Sequence, residues 1–463
     1  MKIKRIELKG YNQFKDLDID LTYPQGHEKA GKPLEKICII GQSGSGKTSL
    51  LRLLKWFVSL NRDIGNNIRL PLPPGNAVKM DVQLFDIHYR LSNIEEFPHL
   101  RFQWGNGMEE LDFFKLVGDY YKEMNPMLIN FPTEIITGDN GQETGGLDAL
   151  DEFEKIKAVQ TSPYKYKLKP GRIIDFAVGD VKETWETILK GIKEHQAQEL
   201  LMKKKIADIE LQEYGTAEEK SKEKKKKTAE YKKWSVQNPD PLKALAEQYL
   251  DPLLFNVGLK VRREIDQGMI RSLGSIQLQT LGGQGVPRTF WSTGTRRLVE
   301  TTVPLYQLEP KNAVILIDEP EHSLYPDIQK GIIETYVRLA PGSQFFFATH
   351  SPIIAASFEP WEIIELKFDR DHEYVYRDLH YEGKNHVDHY KYYPEYLRWD
   401  SILERIFELE EEGGKKRLKA LEKLAEVEIR IKKLKEKGQL NTPAGKKLVE
   451  EFKVLSQKVD WEY

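Results

Sequence analysis

Residues 41–48 read GQSGSGKT, a lysine and a threonine behind three glycines, and that spacing suits the binding of phosphate and a divalent cation. Gly41, Gly44 and Gly46 allow the backbone to wrap tightly and turn its N–H groups inward. Ser43, Ser45 and Ser49 complete the candidate ATP-binding set. Lys47 can reach the β- and γ-phosphates as a compact cation, and Thr48 offers a hydroxyl to Mg²⁺. Far along the chain, residues 313–321 read AVILIDEPE, an apolar strand that ends in carboxylates. Asp318 would hold Mg²⁺ and Glu319 would polarise an attacking water as general base. Such a pair is otherwise often a helix cap, but a P-loop in the same chain favours the catalytic reading. A second apolar run, QFFFATH, ends in His350, whose imidazole could reach the γ-phosphate or the water. A lone histidine at a strand end is more often a structural hydrogen-bonder. The preceding Thr349 and the order of the strands favour catalysis here.

The elements that must position these groups are legible from hydropathy. Ile37 to Ile40 form a short buried strand before the glycine-rich turn, and Leu50, Leu51, Leu53, Leu54, Phe57 and Val58 mark a helix after it. Residues 1–22 alternate as one or two strands, and 79–104 as a β-ribbon. Residues 110–180 mix a helix, LDFFKLVGDYYKEM, with strands at MLINF and RIIDFAV. From Val181 the chain has helical spacing without proline. Gly215-Thr216 breaks it, and a second helical stretch ends at Asn238-Pro239-Asp240-Pro241, which predicts an antiparallel hairpin. An arm of about 30 residues would be about 45 Å long. Strands follow at GLKVRREI and SIQLQT, then alternating helix and strand from 295 to 368, which implies a covered, mostly parallel sheet. Helices close the chain at about 399–410, 415–437 and 443–457.

Composition narrows the class. With 463 residues, 40% hydrophobic and 31% charged, the chain can bury a sizeable core and carry long solvated helices. No apolar run is long enough to span a membrane. The opening MKIKRIELKGYNQF lacks the apolar core of a signal peptide. The single cysteine, Cys38, lies in the apolar KICIIG and reads as a buried core thiol. One cysteine excludes an internal disulfide framework and suits a cytoplasmic location.

GQSGSGKT, IDEPEHSLYP and ATHSP together resemble the ABC-type ATPases of the SMC/RecF/OLD branch. The resemblance covers the P-loop region and about 288–366. It implies an α/β ABC-type P-loop head with a β-ribbon lobe, a short helical (coiled-coil) hairpin insert and a helical C-terminal tail. The expected division is 1–180 for the first half of the head, 181–250 for the insert, 251–380 for the second half and 381–463 for the tail. In that family a signature motif binds the γ-phosphate held by the opposite subunit. WSTGTRRLVETTVPLY fits it through Ser292 and Gly294, with Thr295 and Arg296 departing from the usual wording. Ser323 to Pro326 look like the loop that crosses between two ATP sites. The family's phosphate-sensing glutamine has no counterpart in IIDFAVGDVKE, so that role stays unassigned.

The resemblance further implies an ATPase that forms a homodimer or higher oligomer around ATP. Among the branch, length and layout look most like the ATPase subunit of bacterial anti-phage systems of the Septu type, in which the nuclease is a separate chain. The alternatives are a RecF/SMC-like DNA-repair or chromosome-maintenance ATPase and, weakly, a transporter ATPase. OLD-type nucleases carry a D-x-D strand motif. The candidate Asp369-Arg370-Asp371 reads better as a turn in KFDRDHEYVYR. Lys222 and Lys224 to Lys227 read as a solvated helix face or as a contact for DNA phosphates. His372, His380, His386 and His389 match no zinc spacing. Apolar stripes at Ile402, Ile406 and Leu409, and at Leu418, Leu421, Leu424, Val427 and Ile431, need cover from the head or from a partner.

Overall fold

The computed structural model describes residues 1–11, 13–60, 77–84, 87–94, 97–104, 127–135, 172–177, 181–211, 215–263, 276–369, 371, 373–379, 393–407, 415–459 and 461. The expected helix at LDFFKLVGDYYKEM, the four histidines and Leu409 lie outside these residues. Contacts divide the chain into two units, Met1–Tyr396 and Leu397–Tyr463.

In the first unit, β1 (Lys2–Lys9), β2 (Asp16–Asp20), β4 (Ala77–Leu84), β5 (Ile87–Ile94) and β6 (Phe97–Trp104) form an antiparallel sheet in the order β2-β1-β4-β5-β6. Here lies the β-ribbon read from the alternating sequence. The second sheet has the order β15-β14-β3-β13-β12-β7-β8. Its members are β3 (Lys36–Gly41), β7 (Leu128–Phe131), β8 (Ile173–Asp175), β12 (Val314–Asp318), β13 (Gln344–Ala348), β14 (Ile363–Asp369) and β15 (Tyr374–Asp378). All neighbours pair in parallel except the edge hairpin β14–β15. β12 and β13 are buried at every position, as expected of central strands covered on both faces. The expected α/β class with a mainly parallel sheet is what the structure has.

Helix α1 (Lys47–Leu60) follows the P-loop, and its Leu50, Leu53, Leu54 and Phe57 join the two sheets in one apolar core. Buried Gln344 ties the sheets polarly: its Oε1 accepts from Ile3 N at 2.7 Å, and its Nε2 donates to Ile3 O and Leu34 O. Cys38 is fully buried, and burial pushes its thiol pKa well up, so it is inert core. Two further helices, α6 (Thr293–Leu308) and α7 (Pro326–Leu339), are linked by Thr301 Oγ1 and Tyr336 Oη at 2.6 Å.

The insert is an antiparallel hairpin of α2 (Val181–Leu211) and α3 (Ala217–Gln237). Thr216 and Glu219 make a capping box at the start of α3, where the sequence break falls. Three contacts set the register: His195 Nε2 with Asn238 O at 3.0 Å, Tyr231 Oη donating to Glu199 at 2.9 Å, and Lys224 with Glu210. No residue of α3 is buried, in keeping with its sparse apolar stripe. Helical turns from α4 (Pro241–Leu245) through a π turn to α5 (Asp251–Leu254) lead into a small sheet of β9 (Leu259–Val261), β10 (Leu278–Thr280) and β11 (Gly285–Val286). The helix α8 (Pro352–Ala355) is one turn long.

The second unit contains α9 (Trp399–Arg405) and a hairpin of α10 (Lys415–Glu436) and α11 (Pro443–Val459). Leu424 and Val427 of α10 pack on Leu455 and Val459 of α11. The stripe read in α10 therefore has a cover that the sequence reading did not weigh: the next helix of the same tail.

Candidate functional site

Parallel pairing brings the chemistry together. β3 runs beside β13, and β13 beside β12, with Ile39 opposite Ala348 and Ala348 opposite Asp318. Three consecutive strand ends therefore release the P-loop, His350 and the Asp318-Glu319 pair at one edge, where open α/β sheets present their ligand groups. β7 flanks β12 on its other side and ends at Phe131, just before Thr133.

In the P-loop, Gly41, Gly44 and Gly46 have φ of 148°, 83° and 88°. A Cβ on Gly46 would sit 2.7 Å from Gln13 Nε2 and 2.8 Å from the Phe14 ring, so only glycine allows the β1–β2 turn to lie against the loop. Ser43 is exposed, whereas Ser45 is buried and its Oγ has no hydrogen-bond partner. Ser49 Oγ lies 3.5 Å from the donor Gln13 Nε2. Lys47 Nζ donates to Gly41 O at 2.8 Å and Gln42 O at 3.0 Å. Burial lowers the Lys47 pKa, against the pull of Asp318, Glu319 and Glu321.

Thr48 and Asp318, 270 positions apart in sequence, are joined by a hydrogen bond of 2.9 Å from Oγ1 to Oδ2. The other oxygen, Asp318 Oδ1, is buried with no hydrogen-bond partner. Burial raises the Asp318 pKa, and the Thr48 and Thr133 hydroxyls oppose the shift. Two hard oxygen donors side by side, one with an unsatisfied lone pair, fit Mg²⁺, which favours oxygen ligands and retains water.

Glu319 follows in the left-handed region, with φ of 49°, pinned by its N–H to Ala348 O at 2.8 Å. Its carboxylate stands between two imidazoles, His350 Nδ1 at 3.6 Å from Oε1 and His322 Nδ1 at 3.4 Å from Oε2. Glu321 accepts the backbone N–H of His350 at 3.0 Å and so fixes the start of that loop. A carboxylate held in a strained turn beside a histidine, next to the Thr48–Asp318 pair, can take a proton from water.

Ser292 and Gly294 begin α6. Ser292 caps it, accepting from Thr295 N at 3.0 Å. A Cβ on Gly294 would lie 2.1 Å from Ser323 O, so this turn packs directly on the loop that follows Glu321. Among the described residues no hydrogen bond or ion pair joins Ser292 or Gly294 to the P-loop of the same chain.

Three participants were not read from the sequence. Arg297 is buried and donates to Asp318 O at 2.8 Å and Pro132 O at 2.5 Å, bracing the ends of β12 and β7. Its own spacing carries no signal beyond proximity to the S-T-G-T turn. Thr133 occupies the strand end beside Asp318. The search for a phosphate-sensing group in IIDFAVGDVKE falls on β8, one strand further from β12. Glu321 was visible as the third carboxylate of DEPE, yet its backbone-anchoring geometry was not.

Asp369 and Asp371 lie at the β14–β15 hairpin, where Asp369 pairs with Tyr374 and accepts the Asp371 N–H at 3.0 Å. Such an Asx bond is typical of a turn.

No curated protein matches the sequence. Solved structures similar to the chain include the SMC head domain from Thermotoga maritima, at 11% identity and a TM-score of 0.39, covering 82% of this chain and 99% of that one. The Smc head domain with an extended coiled coil from Pyrococcus furiosus, bound to the C-terminal domain of ScpA, gives 12% identity and a TM-score of 0.37, covering 81% and 96%. Identities and scores this low say nothing of function. The family model described as the AAA ATPase domain matches residues 1–355. That span holds the P-loop, the Asp318-Glu319 strand end and His350, and the chain belongs to the AAA ATPase domain family.

Proposed function

We propose that the chain hydrolyses ATP with Mg²⁺ at the edge where β3, β13 and β12 end. The observation that carries this reading is the 2.9 Å bond between Thr48 and Asp318, beside Glu319 and His350. The P-loop amides and Lys47 bind the phosphates. Thr48 and Asp318 would hold Mg²⁺, which supplies charge neutralisation at the phosphates. Glu319 takes the proton of the attacking water, and His350 orients the water or the γ-phosphate. Ser292 and Gly294 serve the site of a second copy, so a head-to-head homodimer completes two sites. Supporting this, they start a helix whose positive dipole end and leading N–H groups suit an anion, although Ser292 already accepts from Thr295 N and Arg296 N.

The ATPase then acts as the regulatory chain of a two-chain defence system of the Septu type, with a separate nuclease as effector. The turn at Asp369 and Asp371 supports that division of labour, since it does not supply a D-x-D strand. The purified chain should leave DNA and RNA uncut with Mg²⁺ or Mn²⁺ while hydrolysing ATP with Mg²⁺. Metal-dependent cutting that is lost in Asp369→Ala would overturn the division. A second reading, a RecF/SMC-like ATPase acting directly on DNA, is favoured by the exposed lysines of α3. Lys224 and Lys227 of that run are ion-paired to Glu210 and Glu230. ATP turnover stimulated by DNA and abolished by Lys225→Gln/Lys226→Gln would favour this second reading.

A further inference from the structure

The tail hairpin carries a charge distribution that its packing does not explain. Residues 415–459 hold fourteen lysines and arginines against six acids. Along the shaft, acids are matched: Lys423 pairs with Glu451 at 2.8 Å and Lys432 with Glu428 at 2.8 Å. Between residues 430 and 447 the sequence has seven basic residues and one acid, Glu436; Lys432 is paired with Glu428, and Arg430 and Lys447 also lie within the field of Glu451 on the facing helix. Arg430, Lys433, Lys435, Lys437, Lys446 and Lys447 are all exposed.

The tip is a built turn. Gly438 takes the left-handed conformation at φ 67°, Gln439 N donates to Leu434 O at 2.9 Å, and a Cβ on Gly445 would strike Leu440 O at 2.3 Å. This close approach holds the end of α10 and the start of α11 together, so their cations lie at one end of the hairpin. Lysines in the last turn of α10 suit the negative end of its dipole. Lys446 and Lys447 do not: they stand at the positive end of α11, whose first turn has no acid. By contrast, α3 begins with Glu218 and Glu219. Folding therefore gives no reason for lysines at the start of α11, whereas a bound polyanion would neutralise the lysines of both helices and suit the positive end of α11.

We propose that the tip of the α10–α11 hairpin binds the phosphate backbone of nucleic acid. This surface is separate from the α3 lysines and does not depend on the ATPase reading. From Arg430 to Lys437 the helix rises about 10 Å, close to three phosphate spacings of one duplex strand. A membrane surface fits less well, because the large apolar residues between 430 and 447, Ile431, Leu434 and Leu440, are half-buried, and Ile429 beside them is a single exposed one, too little for a lipid wedge. The contacts carry no base readout, so binding is indifferent to sequence.

The test uses the full chain without nucleotide and a labelled 30-base-pair duplex of arbitrary sequence, with anisotropy followed as KCl is raised. Binding should weaken steeply with salt. The variant K433Q/K435Q/K437Q/K446Q/K447Q should bind at least about tenfold more weakly and show a log–log salt slope shallower by about 4. K446E/K447E separates binding from folding, because acids at the start of α11 favour the helix. It should melt no lower than the parent yet bind duplex more weakly. Unchanged duplex binding by either folded variant would overturn the proposal. So would binding to vesicles containing anionic lipid, or to a polyglutamate peptide, that is lost in these variants while duplex binding is not.

Discussion

The two ends of the nucleotide machinery are built differently. At the P-loop end, strand pairing within one chain brings Thr48 to Asp318 at 2.9 Å and His350 to Glu319 at 3.6 Å. At the start of α6, Ser292 spends its side chain on Thr295 N, and Gly294 lies under the Ser323 backbone. The first end is a pocket of one chain. The second is a tightly packed corner, and among the described residues no hydrogen bond or ion pair joins it to the P-loop of the same chain. On the proposed reading such a divided site needs two copies, and the difference between the ends can be tested in either direction.

The largest effect is expected at the P-loop end. Lys47→Ala removes a part-buried cation whose proposed task is to meet phosphate. Losing one partner of such a pair costs about 2–5 kcal/mol, so ATP should bind roughly 30-fold to several thousand-fold more weakly by titration. The other end is best broken with Ser292→Asp. Aspartate keeps the helix cap while setting a negative charge against phosphate. A change at Gly294 would instead displace the Ser323 loop, because any Cβ there meets its carbonyl. Each variant alone should be inactive, and an equal mixture should recover about a quarter of normal turnover, from one intact composite site in half of the dimers. No recovery, with mixed dimers shown to form, would place the whole site in one chain.

A smaller effect separates the tail from the chemistry. Leu424→Ala removes a buried side chain from a small core and should cost about 2 kcal/mol. Hydrogen exchange in α10 and α11 should accelerate while ATP turnover stays within about twofold. Slower turnover would tie the tail to catalysis.

The smallest effect concerns Glu300 on α6. Burial raises its pKa from the ordinary 4.5 to about 7, although Arg288 at 3.3 Å opposes the shift. Between those values the folded chain holds a proton that the unfolded chain has lost. Stability contributed by this group therefore falls as pH rises from about 4.5 to 7. Glu300→Gln should flatten part of that decline in melting temperature against pH. An unchanged profile would show that Glu300 ionises normally.

Much of this was legible because local signals and global fold agree. The glycine spacing of GQSGSGKT, the apolar runs of β12 and β13 and the break at Gly215-Thr216 each have one structural outcome, and each lies where the sequence places it. What escaped notice depends on strand order. Thr133 approaches Asp318 only because β7 pairs with β12, and no local pattern encodes that neighbour. Arg297 and Glu321 act through backbone carbonyl and amide groups, so their own side-chain types do not reveal what they hold. The cover for the α10 stripe was missed for a related reason: hydropathy shows that a face needs burial but not which helix supplies it.

The central claim is that Glu319 is the base of an ATPase whose cation site is Thr48 and Asp318. Glu319→Gln nearly preserves shape and removes the basic oxygen. ATP binding with Mg²⁺ should stay close to that of the parent chain, and single-turnover hydrolysis should fall by about 10²–10⁴-fold. ATP should then hold the variant as a dimer in size-exclusion chromatography. Hydrolysis at near-parent rates by Glu319→Gln would contradict the account.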